Sequence, residues 1–183
     1  KMRMFNLDGS EGKMCGNAIR CVGKYLYDNG IVNKDVVTIE TLSGIKTLKL
    51  YKQNDVVVAA RVDMGKAVLE PSEIPVKLQG EMVVDRKATI GGADYNITCV
   101  SMGNPHCVVF RDDVEQLAIE KIGPVFENCE LFPERVNTEF VRVIDDHTLR
   151  MRVWERGSGE TWACGTGACA AAVAAVRQHR KQI

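Results

Sequence analysis

The chain has 183 residues, 45% hydrophobic and 26% charged, ordinary values for a globular protein and enough for one sizeable domain or two small ones. Lys plus Arg equals Asp plus Glu at 24 each, so no net field draws nucleic acid or an acidic membrane, and no apolar run reaches the roughly 20 residues a membrane span needs. Seven cysteines without a Cys-x-x-Cys pair, and His106, His147 and His179 without ligand spacing, argue for reduced, cytoplasmic thiols rather than a disulfide framework or a structural metal site.

Residues 16–29 predict a helix, because Ile19, Val22, Tyr25 and Leu26 recur at helical spacing and Gly30 supplies a stop. Runs rich in β-branched residues at 36–41, 47–50 and 56–64 predict strands, with turns at Ser43-Gly44 and Gln53-Asn54-Asp55. Residues 65–80 hold Pro71 and Pro75 without periodicity and are expected to be a linker. The domain boundary is placed near residue 60, giving domains over 1–60 and 61–183. Further on, 82–90 and 95–102 read as a strand pair around Gly91-Gly92, 107–110 as a short strand and 114–122 as a short amphipathic helix. A hairpin over 136–144 and 149–154 turns at Asp145-Asp146, and an alanine-rich helix spans 165–181. From Ala168 to Val176 that helix has no polar face, which predicts burial on every side. The expected fold is α+β: two pseudo-symmetric domains, each a mixed or antiparallel sheet curled around a central helix. Motif-like residues as early as Met4–Asp8, and a polar helix end at Arg177–Arg180, suggest the middle of a longer protein.

Two helix starts carry the same turn. Cys15 precedes Gly16-Asn17 and Cys164 precedes Gly165-Thr166; each has a Gly-Ser six or seven positions upstream (Gly9-Ser10, Gly157-Ser158) and a glutamate four upstream (Glu11, Glu160). A helix N-terminus favours a thiolate, and its free backbone N–H groups suit a carboxylate and the charge of an enediolate. Inverting a carbon without a cofactor needs a base on one face and an acid on the other, and two equivalent thiols fit both roles. The pattern points to a racemase or epimerase. Cys21, Cys99, Cys107, Cys129 and Cys169 read as small core residues.

These residues resemble the diaminopimelate epimerase family. Asn6-x-Asp8-Gly9-Ser10-Glu11 with Met14-Cys15-Gly16-Asn17 looks like its first active-site motif, and Asn104-Pro105-His106 like its middle one. Asn137-Thr138-Glu139-Phe140 and Glu155-Arg156-Gly157 lead into Ala163-Cys164-Gly165-Thr166-Gly167, similar to its second active-site motif. The resemblance implies an enzyme that needs no pyridoxal phosphate or other cofactor and interconverts LL- and meso-diaminopimelate for lysine and peptidoglycan synthesis. It implies a small-molecule substrate, no nucleic-acid or membrane partner, and is compatible with a homodimer. By resemblance Cys164 is the base toward the LL substrate and Cys15 the acid. Gly16, Asn17, Gly165 and Thr166 hold the reacting carboxylate; Asn6, Asn104, Asn137 and Arg156 hold the distal centre; Glu155 meets the reacting ammonium and His106 tunes the thiols. By residue type alone, Asn104 before Pro105 is a turn residue, Glu155-Arg156 a solvated pair and His106 structural. The family's opening Gly-x-Gly-Asn-Asp-Phe-like motif, its following glutamine and its closing strands have no counterpart in the 183 residues, and Ala18 stands where the family usually has glycine.

Four other readings compete. Proline or hydroxyproline epimerases share the thiol pair but typically have histidine where Asn17 stands. A related isomerase family lacks the first cysteine. A Cys-His hydrolase built on Cys164 and His106 leaves Cys15 without a role, and a non-catalytic binding module leaves both thiols unexplained.

Overall fold

The computed structural model describes residues 1–5 and 9–179. They form two compact units that divide between Gly65 and Lys66. The first unit runs past residue 60 because its last strand stays hydrogen-bonded to Asp63.

In the first unit, α1 (Gly16–Asp28) packs on an antiparallel sheet of β1 (Val36–Thr41), β2 (Gly44–Gln53) and β3 (Val56–Asp63), in that order. Period-two alternation puts Val37, Ile39, Leu48, Leu50 and Val57 on one face, where Met14 and Ile19 close the core. Gly23 lets helix and sheet approach: a Cβ there would stand 2.7 Å from Leu48 Cδ2. The β2–β3 hairpin turns at Asn54 and Asp55, with φ of 50° and 61°, the paired left-handed geometry of a tight hairpin turn, which Asn and Asp tolerate. Cys21 is exposed on α1 rather than in the core.

The second unit holds a six-stranded sheet in sequence order: β4 (Arg86–Ile90), β5 (Ala93–Ser101), β6 (Pro105–Phe110), β7 (Asn137–Asp145), β8 (Thr148–Glu155) and β9 (Gly159–Glu160). All neighbours are antiparallel except β6–β7, which run parallel. Parallel pairing needs a crossover, here containing α2 (Ile119–Glu127). The crossover helix lies later than the 114–122 expected. Val114–Gln116 is a 3-10 turn, and Gly123-Pro124 sits inside the helix instead of ending it. The α2 side buries Cys99, Cys107, Val109, Phe126 and Phe140, with Phe126 edge-on to Tyr95 and Phe140. The helix α3 (Gly165–His179) packs against β5, β6, β7 and β8 through Ala170, Ala171 and Ala174. Covered from both sides, β6 and the first half of β7 are buried at nearly every position.

Two expectations are corrected here. Residues 65–80 are not a free linker: Ile74 and Val76 are buried in the second core, Pro71 is buried too, and Val68 bridges to Ser101. Nor is α3 buried all round, since Ala168, Ala172 and Val176, one face at i, i+4 and i+8, are exposed, Val176 by 55%. Small departures include β4, which starts at Arg86 rather than 82, and the β7–β8 turn, which falls at Asp146-His147 after a bulge. Among the described residues no helix is long and apolar enough to cross a membrane.

Candidate active site

Each unit presents one cysteine as the cap of a helix. In the first, Cys15 is extended at φ −139°, its carbonyl accepts the first helical hydrogen bond from Ile19 N at 3.1 Å, and its Sγ accepts from Ala18 N at 3.4 Å. In the second, Cys164 O accepts from Ala168 N at 3.0 Å and Sγ accepts from Gly167 N at 3.3 Å. The sulfur thus plays the part an Asp or Ser side chain plays at an ordinary N-cap, satisfying the orphan N–H three residues on. Gly16 and Gly165 are the first helical residues, leaving the backbone beside each thiol unshielded by a side chain.

Around Cys15, Arg20 is folded back over the first turn, donating to Gly16 O at 3.1 Å and to Asn17 Oδ1. Upstream, Glu11 is held by a two-pronged pair with Arg3 at 2.8 and 3.0 Å. Asn6 lies outside the described residues.

Around Cys164 the polar residues form a continuous chain. Thr166 Oγ1 lies 3.4 Å from Sγ; Asn104 Nδ2 donates to Thr166 Oγ1 at 3.3 Å. Asn104 Oδ1 faces His106 Nε2 at 3.0 Å, and His106 Nδ1 faces Glu139 Oε1 at 2.7 Å. Both ring nitrogens of His106 are therefore occupied, and neither is bonded to Cys164, so the Cys-His dyad of the hydrolase alternative does not form. Asn137 is a neighbour of this chain by register, paired with His106 across β6–β7. Its amide is spent on backbone, donating to Pro105 O at 2.8 Å and accepting from Arg156 N at 2.9 Å. Arg156 in turn donates to Glu134 O at 2.8 Å, and Glu155 accepts from Thr161 Oγ1. The structure brings Asn104, His106, Asn137, Glu155, Arg156, Cys164, Gly165 and Thr166 together in one unit and places Cys15, Gly16 and Asn17 in the other.

Burial first, then the Glu139 and Glu155 carboxylates, push the Cys164 thiol up to about 12, against the opposing bonds from Thr166 and Gly167. The helix start alone would favour a thiolate; here burial and two like charges outweigh it.

Two residues escaped sequence reasoning. Glu139 has no role in the motif Asn137-Thr138-Glu139-Phe140, and with Asn137 and Thr138 also polar nothing in the sequence singles it out. Glu127 holds Arg135 Nη1 at 3.1 Å, Trp154 Nε1 at 2.7 Å and Gly157 N at 2.9 Å, tying down the Glu155-Arg156-Gly157 turn. Nothing in its helical context marks it. Among the described residues no cluster of His, Cys, Asp or Glu could hold a metal ion.

The fold is shared with solved structures of low sequence identity. A probable proline racemase from Agrobacterium radiobacter aligns with 98% of this chain and 56% of its own at a TM-score of 0.71 and 18% identity. A hydroxyproline epimerase from Agrobacterium vitis aligns with 95% of this chain and 54% of its own at a TM-score of 0.65 and 18% identity. Sequence narrows the class. The diaminopimelate epimerase profile matches residues 1–70 and 98–182, and the chain belongs to that family. Proteins named diaminopimelate epimerase from Methanococcus maripaludis and Acetivibrio thermocellus are each 56% identical over 176 residues, 96% of this chain. The chain spans 64% and 63% of their lengths.

Proposed function

We propose that the protein is a cytoplasmic isomerase that interconverts LL- and meso-2,6-diaminopimelate by two-thiol proton transfer, without pyridoxal phosphate. The observation that carries this reading is the pair of sulfur-capped helix starts, Cys15 over Ala18 N and Cys164 over Gly167 N, in a chain of this family. One cysteine, as thiolate, takes the α-hydrogen; the electron pair left behind spreads into the carboxylate as an enediolate. The other cysteine, as thiol, returns a proton to the opposite face of the carbon, and the two exchange protonation states in each turnover. Cys164 serves as base toward the LL isomer and Cys15 as acid. The N–H groups of the two first turns, with Asn17 and Thr166, hold the reacting carboxylate as charge develops on it. Arrival of the substrate ammonium beside Glu155 offsets one of the charges that keep the Cys164 proton in place. Asn6, Asn104, Asn137 and Arg156 hold the distal amino acid centre, where a guanidinium fork suits a carboxylate.

The experiment offers LL-diaminopimelate, proline, glutamate and lysine to the protein at its full length in deuterated water and follows α-hydrogen exchange. Exchange confined to diaminopimelate is expected, because polar groups meant for a second ammonium and carboxylate stay unpaired with the other three. Exchange with proline and none with diaminopimelate would transfer the protein to the proline epimerase reading.

A further inference from the structure

Glu139 has no packing rationale. It sits mid-strand in β7 with no exposed surface, and its Oε2 has no hydrogen-bond partner among the described residues. A buried carboxylate is costly unless something holds it, and here the holding group is His106, equally buried, 2.7 Å away through Nδ1. The protons of this chain can be counted. Asn104 presents Nδ2 to Thr166, so its Oδ1 faces His106 Nε2, which must carry a hydrogen to make that bond. The Nε2 hydrogen leaves Nδ1 and a carboxyl oxygen facing each other, an arrangement that makes a bond only if one further proton lies between them. On the other side, Glu139 borders the thiol: a Cβ built on Gly167 would meet Glu139 Oε1 at 2.5 Å and Cys164 Sγ at 3.2 Å.

We propose that Glu139 is a positioning residue for the Cys164 thiol: it shares one buried proton with His106, fixes the imidazole with Nε2–H toward Asn104, and so sets the Asn104 amide and the Thr166 hydroxyl against Sγ. Its own oxygen lies over the first turn of α3, so the carboxyl acts on the thiol through the chain and as the negative end of the pair it forms with His106. The ionisable groups acting on Cys164 are Glu139 from β7 and Glu155 from the end of β8, with His106 of β6 linked through Glu139 and Asn104. The inference rests on Cys164 being the reactive thiol of this unit, the reading given above; its test reads the thiol itself and not turnover.

The test alkylates the protein with iodoacetamide across a pH series and quantifies Cys164 by peptide mass. Glu139→Gln keeps the shape and can still donate to Nδ1, but it replaces the neutral shared-proton pair by two neutral groups and so removes the negative carboxyl end that lies beside the thiol. The alkylation midpoint is expected to fall by about one pH unit, making modification near neutral pH about tenfold faster. Glu139→Asp, which keeps a carboxyl to share the proton with His106, should hold the midpoint near that of the unsubstituted protein. A midpoint unmoved in folded Glu139→Gln overturns the proposal. A second reading needs no Glu139 variant: the imidazole ¹⁵N spectrum, with His106 assigned by comparison with His106→Gln, should show a protonated Nε2 throughout pH 6–9. A bare Nε2 there overturns the proton count and the proposal with it. A protein that passes both tests yet fails to exchange diaminopimelate keeps this inference and loses the function proposed above.

Discussion

At Cys164 two effects oppose each other, and their balance decides what substitution does. The sulfur caps α3 through Gly167 N and sits beside two carboxylates that keep it protonated. Losing a cap costs about 1 kcal/mol, too little to unfold the unit, whereas losing the thiol removes one of the two proton carriers of the proposed mechanism. Cys15→Ala and Cys164→Ala should therefore each abolish epimerisation in the full-length enzyme while leaving its circular dichroism spectrum unchanged. Cys→Ser should restore the cap but at most a trace of activity, because a hydroxyl is far too weak an acid to supply the base. Near-normal turnover by Cys15→Ala would sink the two-thiol mechanism. Arg156 offers a second residue-scale test. Its guanidinium is steadied by Glu134 O and its backbone by Asn137 Oδ1, so Arg156→Lys should keep the turn and lose the planar fork. A KM for diaminopimelate raised about tenfold or more with the fold intact is expected; an unchanged KM would remove Arg156 from the binding set.

At the scale of elements, α3 shows tertiary contact overriding local preference. Alanine is better than glycine inside a helix by about 1 kcal/mol, yet at Gly167 the added carbon would stand 2.5 Å from Glu139 Oε1, an atom pinned by His106. Gly167→Ala should consequently destabilise the protein by about 1–3 kcal/mol, seen as a lower urea midpoint. A raised midpoint would show that the carboxylate moves aside freely. Gly123→Ala should behave likewise, because the Trp154 indole ring stands where its Cβ would be. The same contrast explains how far the sequence could be read. Strands at Val36–Thr41 and Val56–Asp63 were legible because alternation and turn residues are local signals. The crossover helix was expected too early because its position is set by packing on the sheet, and residues 65–80 misled because Ile74 and Val76 look sparse in sequence but converge on a core built elsewhere. In the site, both caps were legible from a repeated turn, while Glu139 and Glu127 were not, their meaning residing in partners 33 and 27 to 30 residues distant.

For the molecule as a whole, two separate cores mean that a suitably placed probe reads one unit alone. Both tryptophans, Trp154 and Trp162, belong to the second unit; Trp162 is fully exposed, so the packed Trp154 carries the fluorescence change on unfolding. That unit also contains the two thiols held above their ordinary range: Cys164, up to about 12, and Cys107, raised by burial and by Cys99. The sign follows from proton counting. Unfolded thiols ionise near 8.5, while the folded ones stay protonated, so above that pH the folded state binds more protons and stability falls as pH rises. Cys164 should contribute about 1.4 kcal/mol of lost stability per pH unit from that point up to its folded value, and none below it, while Cys107 acts in the same direction. Urea unfolding followed by tryptophan fluorescence should show a shared baseline at pH 7 and 8 for the unsubstituted protein and Cys164→Ala, after correction for their constant difference. Between pH 9 and 10 the unsubstituted protein should lose about 1.4 kcal/mol more than the variant. Parallel curves through pH 10 would mean that Cys164 ionises as readily folded as unfolded, and that neither burial nor Glu139 and Glu155 hold its proton.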